Sequence, residues 1–104
     1  MEDYKISVET VDREIERFKG LVNARQEELD KSLELLKSRT ERIDVLKTVE
    51  ERLQDGPPKV IVQKTYQFEA DERFKLIPEV NNHEVNIKHY NNIIEKLEEL
   101  KRSL

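Results

Sequence analysis

Two histidines, His83 and His89, are the side chains of this sequence best suited to acid–base or metal chemistry. They lie six positions apart, so a helix would place them on different faces, whereas paired metal ligands on a helix lie one turn apart. The sequence has no cysteine, which excludes disulfides, thiolate nucleophiles and cysteine-based zinc sites. We therefore expect no metal site, with His83 facing solvent or beside a helix cap and His89 at the edge of an interface.

Adjacent carboxylates are a second candidate for chemistry. They occur as Glu27-Glu28, Glu50-Glu51, Asp71-Glu72 and Glu98-Glu99. Catalytic carboxylates need a pocket that excludes water and shifts their pKa values, and the surface of a helix offers none. The sequence also has two glycines, too few for the glycine-rich loops that bind phosphates or dinucleotides. We expect solvated helix faces, no enzymatic activity and no cofactor.

Basic residues in the first half of the chain are the feature that would favour nucleic acid as a ligand. They are Arg13, Arg17, Lys19, Arg25, Arg39, Arg42 and Lys47. Residues 1–55 contain eleven basic and fifteen acidic side chains, interleaved, whereas a phosphate-binding stripe shows one sign of charge on one face. We therefore expect Arg25 and Arg39 to set helix register or to pair with acids of a partner, and we expect no nucleic-acid ligand.

The composition favours a charged helical protein without a membrane span. The chain has 104 residues, of which 40% are charged and 36% hydrophobic, and its net charge is −4. We expect one small domain or a fragment of a longer protein. No apolar run approaches the roughly 20 residues of a membrane span, and residues 1–3 lack the basic start of a signal peptide. A cytoplasmic protein with no membrane partner is expected.

The longest predicted element is a helix over residues 1–55. Its apolar residues recur at alternating intervals of four and three, the heptad pattern of a coiled coil. The first part of this seam is Tyr4, Val8, Val11, Ile15, Phe18 and Val22. The seam resumes at Leu29 and falters at Ser32, so we predict a phase adjustment of one position there. It would then continue through Leu33, Leu36, Thr40, Ile43, Leu46 and Leu53.

Residues 56–82 predict a turn, an extended segment and a short helix. The sequence Asp55-Gly56-Pro57-Pro58 ends the first helix. In the next ten residues, β-branched and aromatic side chains alternate as in a half-buried strand. Those on one face are Val60, Val62, Tyr66 and Phe68. Such a strand either pairs with a partner by β-augmentation or packs on the protein's own helices. A short helix over 69–76 would end before Pro78.

Residues 83–104 predict a second, amphipathic helix. Asn81 takes the place of an N-cap, and Glu84 follows at the spacing of a capping box. Apolar side chains then recur at helical intervals at Ile87, Tyr90, Ile94, Leu97, Leu100 and Leu104. This helix would be less than half as long as the first, so much of the seam of the first helix would need cover from a second chain.

The sequence therefore predicts a mainly α fold with a long N-terminal coiled-coil helix, a short extended or β segment, and a shorter C-terminal amphipathic helix. The expected function is a non-enzymatic scaffold or assembly subunit that acts through protein–protein interaction and self-associates as a homodimer. The alternative is a small regulatory protein that binds nucleic acid or a nucleic-acid enzyme, and its affinity would fall steeply with salt.

Two sets of residues carry this expectation. The predicted oligomer interface is Tyr4, Val8, Val11, Ile15, Phe18, Val22, Leu29, Leu36 and Ile43. The predicted partner-docking residues are Val60, Val62, Tyr66, Phe68, Ile87, Tyr90, Ile94 and Leu97.

Overall fold

A computed structural model describes residues 5–104, and over that range the protein consists of two α-helices. Helix α1 is Val8–Glu51 and helix α2 is Pro57–Ser103. The prediction of a mainly α protein is confirmed. The predicted β segment is wrong, since the described residues contain no strand and the stretch from Lys59 to Phe68 lies inside α2.

Helix α1 begins at a serine cap that the sequence patterns did not reveal. The Ser7 hydroxyl oxygen accepts a hydrogen bond of 3.1 Å from the backbone N–H of Thr10, the third residue of the helix. The Ser7 carbonyl accepts the next bond, from Val11 N–H at 3.2 Å. A side-chain acceptor at this position satisfies an N–H that has no partner within the helix.

The turn between the helices is set by glycine and proline. Gly56 has a φ of +150°, a backbone conformation that side chains disfavour, so this position requires glycine. Pro57 is the first residue of α2, where its fixed φ suits the helix and its missing N–H would have had no partner. Asp55 lies 3.4 Å from Lys59 and places a negative charge at the helix start, where the dipole favours it.

Helix α2 is continuous where the sequence predicted three separate pieces. The strand, the short helix over 69–76 and the C-terminal helix over 83–104 are parts of one element of 47 residues. Pro78 lies inside it, exposed, between the buried residues Leu76 and Val80. Packing of these two neighbours outweighs the lost backbone hydrogen bond of the proline, which costs about 3 kcal/mol in a helix interior. Asn81 consequently caps nothing.

The chain divides into two compact units. Unit 1 comprises Met1–Glu28 and Asn82–Leu104, and its buried core is formed by Val11, Ile15 and Ile94. Partly buried apolar side chains pack against that core: Phe18, Val22, Leu97 and Leu100. Residues from early in α1 therefore pack against residues from late in α2, and the two helix segments of unit 1 run antiparallel.

Unit 2, Leu29–Asn81, is an antiparallel helical hairpin that contains the turn. Its buried apolar side chains are Leu29, Ile43, Leu76 and Val80. The inward-facing positions of α1 follow the four–three spacing without interruption, because Ser32 is half-buried and Leu33 is 41% exposed. The phase adjustment predicted near Ser32 is therefore wrong.

Among the described residues, neither helix contains a stretch that is both long and apolar enough to cross a membrane.

Candidate protein-interaction site

A buried charge cluster lies at the centre of unit 2. The Glu69 carboxylate, 4% exposed as a residue, accepts a hydrogen bond of 2.9 Å from Arg39 and one of 2.8 Å from Arg42. Arg39 is largely buried and Arg42 is more exposed. The two arginines hold both carboxylate oxygens, which compensates for the loss of water around a buried charge. The Arg39 Nε has no hydrogen-bond partner within residues 5–104.

A second polar group of unit 2 lies closer to the turn. The Gln63 amide donates a 2.8 Å hydrogen bond to Glu50, and this bond lowers the pKa of the Glu50 carboxyl below its ordinary value, with a further bond from Tyr66 acting in the same direction. The Tyr66 hydroxyl donates this further bond to the Glu50 carboxylate, which raises the pKa of the hydroxyl. The Lys47 ammonium lies 5.6 Å from the centre of the Tyr66 ring, at cation–π distance.

Unit 1 contains a buried histidine contacted by two charged residues. Arg25 Nη1 lies 3.2 Å from His83 Nδ1, and Glu28 lies 3.8 Å from His83 Nε2. Because a guanidinium only donates, Nδ1 accepts this bond and the ring proton sits on Nε2, toward Glu28. The expectation that His83 faces solvent or caps a helix is wrong, since the residue is 9% exposed in the middle of α2.

Neither histidine belongs to a cluster with metal-ligand composition. Within residues 5–104 no group of three histidine or carboxylate side chains is arranged to hold a metal ion. His89 is exposed on α2, six positions from His83. The polar contacts of His83 are with helix α1 of its own chain, so their geometry indicates a packing role.

The predicted oligomer-interface residues point mostly into the protein's own core. Val11, Ile15, Leu29 and Ile43 are buried, whereas Phe18, Val22 and Leu36 are half-buried. Val8 is exposed at the start of α1, and Tyr4 lies outside the described residues. Helix α2 covers the seam in unit 1 that was expected to lack cover, so an uncovered seam no longer argues for a second chain.

The predicted partner-docking residues are divided between the inside and the surface. Ile94 is buried, and the half-buried members are Val62, Tyr66, Ile87, Tyr90 and Leu97. The Tyr90 ring lies 6.2 Å from that of Phe18 in unit 1. Val60 and Phe68 are exposed, and only these two lie on the surface as a docking site requires.

Four exposed apolar side chains lie on one side of the unit 2 hairpin near the turn. We call Val45, Val49, Ile61 and Phe68 the turn-proximal patch; their exposed fractions run from 40% to 63%. We assign the inward-facing positions of each helix to a and d of a heptad, with Ile43 and Tyr66 at a. Val49 then occupies position g, and the other three members of the patch occupy position c. These positions lie on the side of the hairpin from which Arg42 reaches Glu69. Lys47 and Gln63 occupy the opposite side, on which Val60 is exposed near the turn.

Several basic residues of α1 form ion pairs within the protein. Arg17 lies 3.4 Å from Glu14 and Lys19 lies 3.9 Å from Glu16, while Arg39 and Arg42 bind Glu69. Cations paired in this way do not present the single-signed stripe that phosphate binding favours. The expectation that Arg39 pairs with an acid agrees with this geometry, although the acid belongs to the same chain.

Comparisons with protein-family models, with curated proteins and with solved structures find no significant match to this chain.

Proposed function

We propose that the protein is a non-enzymatic helical protein, of coiled-coil type, that acts as a scaffold or assembly subunit through protein–protein interaction and self-associates. The observation that carries this proposal is the balance of its apolar side chains. Within the described residues, seven hydrophobic side chains are buried, whereas fifteen large ones are exposed. Exposed apolar side chains that lie together mark surfaces that bind other proteins.

The accessible surface area supports the same proposal. The chain exposes 8202 Å². A compact folded monomer of this mass exposes about 6,100 Å². The surplus of roughly 2,000 Å² is within the range that one subunit buries in an obligate homodimer. No large side chain among the described residues is fully buried, so association would also supply the dry core that each hairpin lacks.

A scaffold is favoured over an enzyme because the polar groups are used in packing. Glu69, His83 and Glu50 each contact the facing helix of their own unit. General acid–base catalysis needs titratable groups that converge on one substrate position, whereas Glu69 and Glu50 of unit 2 and His83 of unit 1 are directed at side chains of α1 or α2.

Light scattering coupled to size-exclusion chromatography tests self-association directly. We expect a mass of two chains, or a larger multiple, at micromolar concentration and a shift toward one chain on dilution. Association driven by apolar burial should change little between 0.05 and about 0.5 M salt. A mass of one chain at every concentration, with normal helix content by circular dichroism, would show that the proposal of self-association is wrong.

The same salt series separates this proposal from the alternative of nucleic-acid binding. A fluorescent single-stranded or duplex oligonucleotide titrated with the protein should show no saturable binding at physiological salt. Binding that weakens steeply with salt would instead favour the alternative, because phosphate contacts release counterions.

A further inference from the structure

The last two turns of α1 and the residue that follows them carry an exposed surface with one charge of each sign. A shallow groove in unit 2 is lined by Asp44, Val45, Thr48, Val49 and Arg52. All five residues are exposed, and Val45 is 61% exposed. The acidic and the basic residue each lie four positions from Thr48, one on either side.

The two charges at the ends of this surface are unpaired within the described chain. Neither the Asp44 carboxylate nor the Arg52 guanidinium forms an ion pair with any of residues 5–104. Asp44 and Thr48 lie four positions apart on α1 and therefore share a face, about 6 Å apart along the helix. Arg52 is the first residue after the helix, where its backbone N–H bonds to the Val49 carbonyl at 3.0 Å, and its side chain lines the same groove.

A two-fold axis near Thr48 makes this surface complementary to itself. If a second copy lies antiparallel across the groove, its Arg52 faces Asp44 of the first copy and its Asp44 faces Arg52. Two equivalent ion pairs then flank a centre in which Val45 and Val49 meet their counterparts. Closed dimers use such a contact, in which both subunits contribute the same patch.

We propose that the Asp44–Arg52 surface is the homodimer contact, with a second copy of this chain lying antiparallel across it. This inference rests on the proposed self-association and names its surface. Ile61 and Phe68, the α2 members of the turn-proximal patch, occupy the same side of the hairpin and extend the contact. Unpaired opposite charges and the surface surplus of each chain favour a second copy as the occupant.

Charge reversal tests this contact. Asp44→Arg alone, or Arg52→Asp alone, should weaken dimerisation about tenfold at 0.05 M salt, because each change replaces two attractive pairs by two repulsive ones. The weakening should shrink at 1 M salt, where charges are screened within about 3 Å. Both variants keep the seam of the hairpin, so their helix content should equal that of the unmodified protein.

Mixing the two single variants gives the sharpest readout. A copy with Asp44→Arg and a copy with Arg52→Asp repel their own kind but complement each other. Native mass spectrometry of an equimolar mixture should show mainly the mixed dimer, and the double variant Asp44→Arg/Arg52→Asp should dimerise like the unmodified protein. A dimer that is unaffected by either single change would place the contact elsewhere and leave self-association standing.

Two phenylalanines provide a matched control for the side of the hairpin. Phe68 and Phe74 are both exposed on α2 of unit 2. Phe74 occupies heptad position b, on the side opposite the turn-proximal patch. Phe68→Ala should weaken dimerisation severalfold, whereas Phe74→Ala should leave it unchanged. The reverse result would assign the contact to the other side, and a protein that is monomeric without substitutions would refute the proposed function itself.

Discussion

The two units use the same helix pairing but stabilise it differently. Unit 1 is held by an apolar cluster around Val11, Ile15 and Ile94, and its buried polar contact, between Arg25 and His83, lies outside that cluster. At the centre of unit 2, the carboxylate of Glu69 occupies an inward-facing position and is held by arginines of α1. An apolar cluster tolerates sliding of one helix along the other, whereas a charge pair is satisfied in one register.

This difference assigns distinct roles to apolar and polar residues of the seam. If α2 moved by one heptad along α1, Glu69 would leave Arg39, and either Val62 or Leu76 would take its place beside the guanidinium. A buried charge without a partner costs several kcal/mol. The cluster in unit 2 therefore fixes the register of the hairpin, as polar residues in coiled-coil seams do.

The largest expected effect comes from removing the central acid of unit 2. Glu69→Ala leaves Arg39 largely buried without its partner, and we expect a loss of about 3 kcal/mol or more in the free energy of unfolding. Glu69→Gln, which keeps the shape but not the charge, should cost nearly as much. Urea denaturation followed by circular dichroism measures both.

A compensating variant shows whether charge or packing is responsible. Arg39→Leu combined with Glu69→Leu removes both charges and should recover the stability of the unmodified protein or exceed it, while Arg42 remains in water. If Glu69→Ala alone cost less than about 1 kcal/mol, the value of an exposed pair, the contrast between the units would be lost.

In unit 1 the sensitive quantity should be side-chain volume. Ile15 is 6% exposed in the apolar cluster, so Ile15→Ala should lower the free energy of unfolding by about 3 kcal/mol. Ile15→Leu preserves volume and should cost less than about 1.5 kcal/mol. The same urea titrations compare these variants with the two at Glu69, and equal costs for Ile15→Leu and Ile15→Ala would contradict a packed cluster.

The two glycines, one in each unit, should respond in opposite directions. A Cβ added at Gly20 meets no atom within 4 Å, so Gly20→Ala should stabilise the helix by about 1 kcal/mol. Gly56 has a positive φ, and Gly56→Ala should destabilise the protein by about 1 kcal/mol. Thermal melts of both variants give the sign, and a destabilising Gly20→Ala would reveal a close neighbour from another chain.

The smallest expected effect is a pH dependence in unit 2. The pKa of Glu50 is lowered in the folded protein by the Gln63 bond, so its contribution is present above the ordinary carboxyl pKa and is lost as pH falls through the lowered value. Melting temperature should therefore fall on acidification below about pH 4.5, and less so for Glu50→Gln. Equal acid sensitivity of the two proteins would show that the bond does not stabilise the fold.

Sequence patterns located the seam where its residues are apolar. Val11, Ile15 and Phe18 keep the heptad spacing visibly, and all three lie on the inner face of α1. The pattern failed where an inward position is polar, since Ser32 led to the prediction of a phase adjustment. Ser32 is tolerated at an inward position because it is only half-buried. Arg39 is tolerated there because it donates a hydrogen bond to Glu69 on the facing helix.

The strand prediction failed because tertiary contacts outweighed local propensity. The β-branched residues between Lys59 and Phe68 favour strand, and Val60 and Phe68 remain exposed on the helix that forms instead. Tyr66 and Glu69 occupy inward positions in and just after this stretch, and their partners lie on α1: Glu50 for Tyr66, and Arg39 and Arg42 for Glu69, which are 30 and 27 residues earlier. A hydrophobic periodicity search does not detect polar partners at that distance.

The bridge between Asp12 and Lys101, 2.8 Å long, brings the second turn of α1 beside the last turn of α2. Because these two segments of unit 1 lie side by side, the protein could be inserted into a surface loop of another protein with little change to that loop. Fluorophores attached to Ile6 and Leu104, after replacement of each by cysteine, should accordingly show efficient energy transfer, and that signal would report fraying of unit 1 long before the hairpin melts.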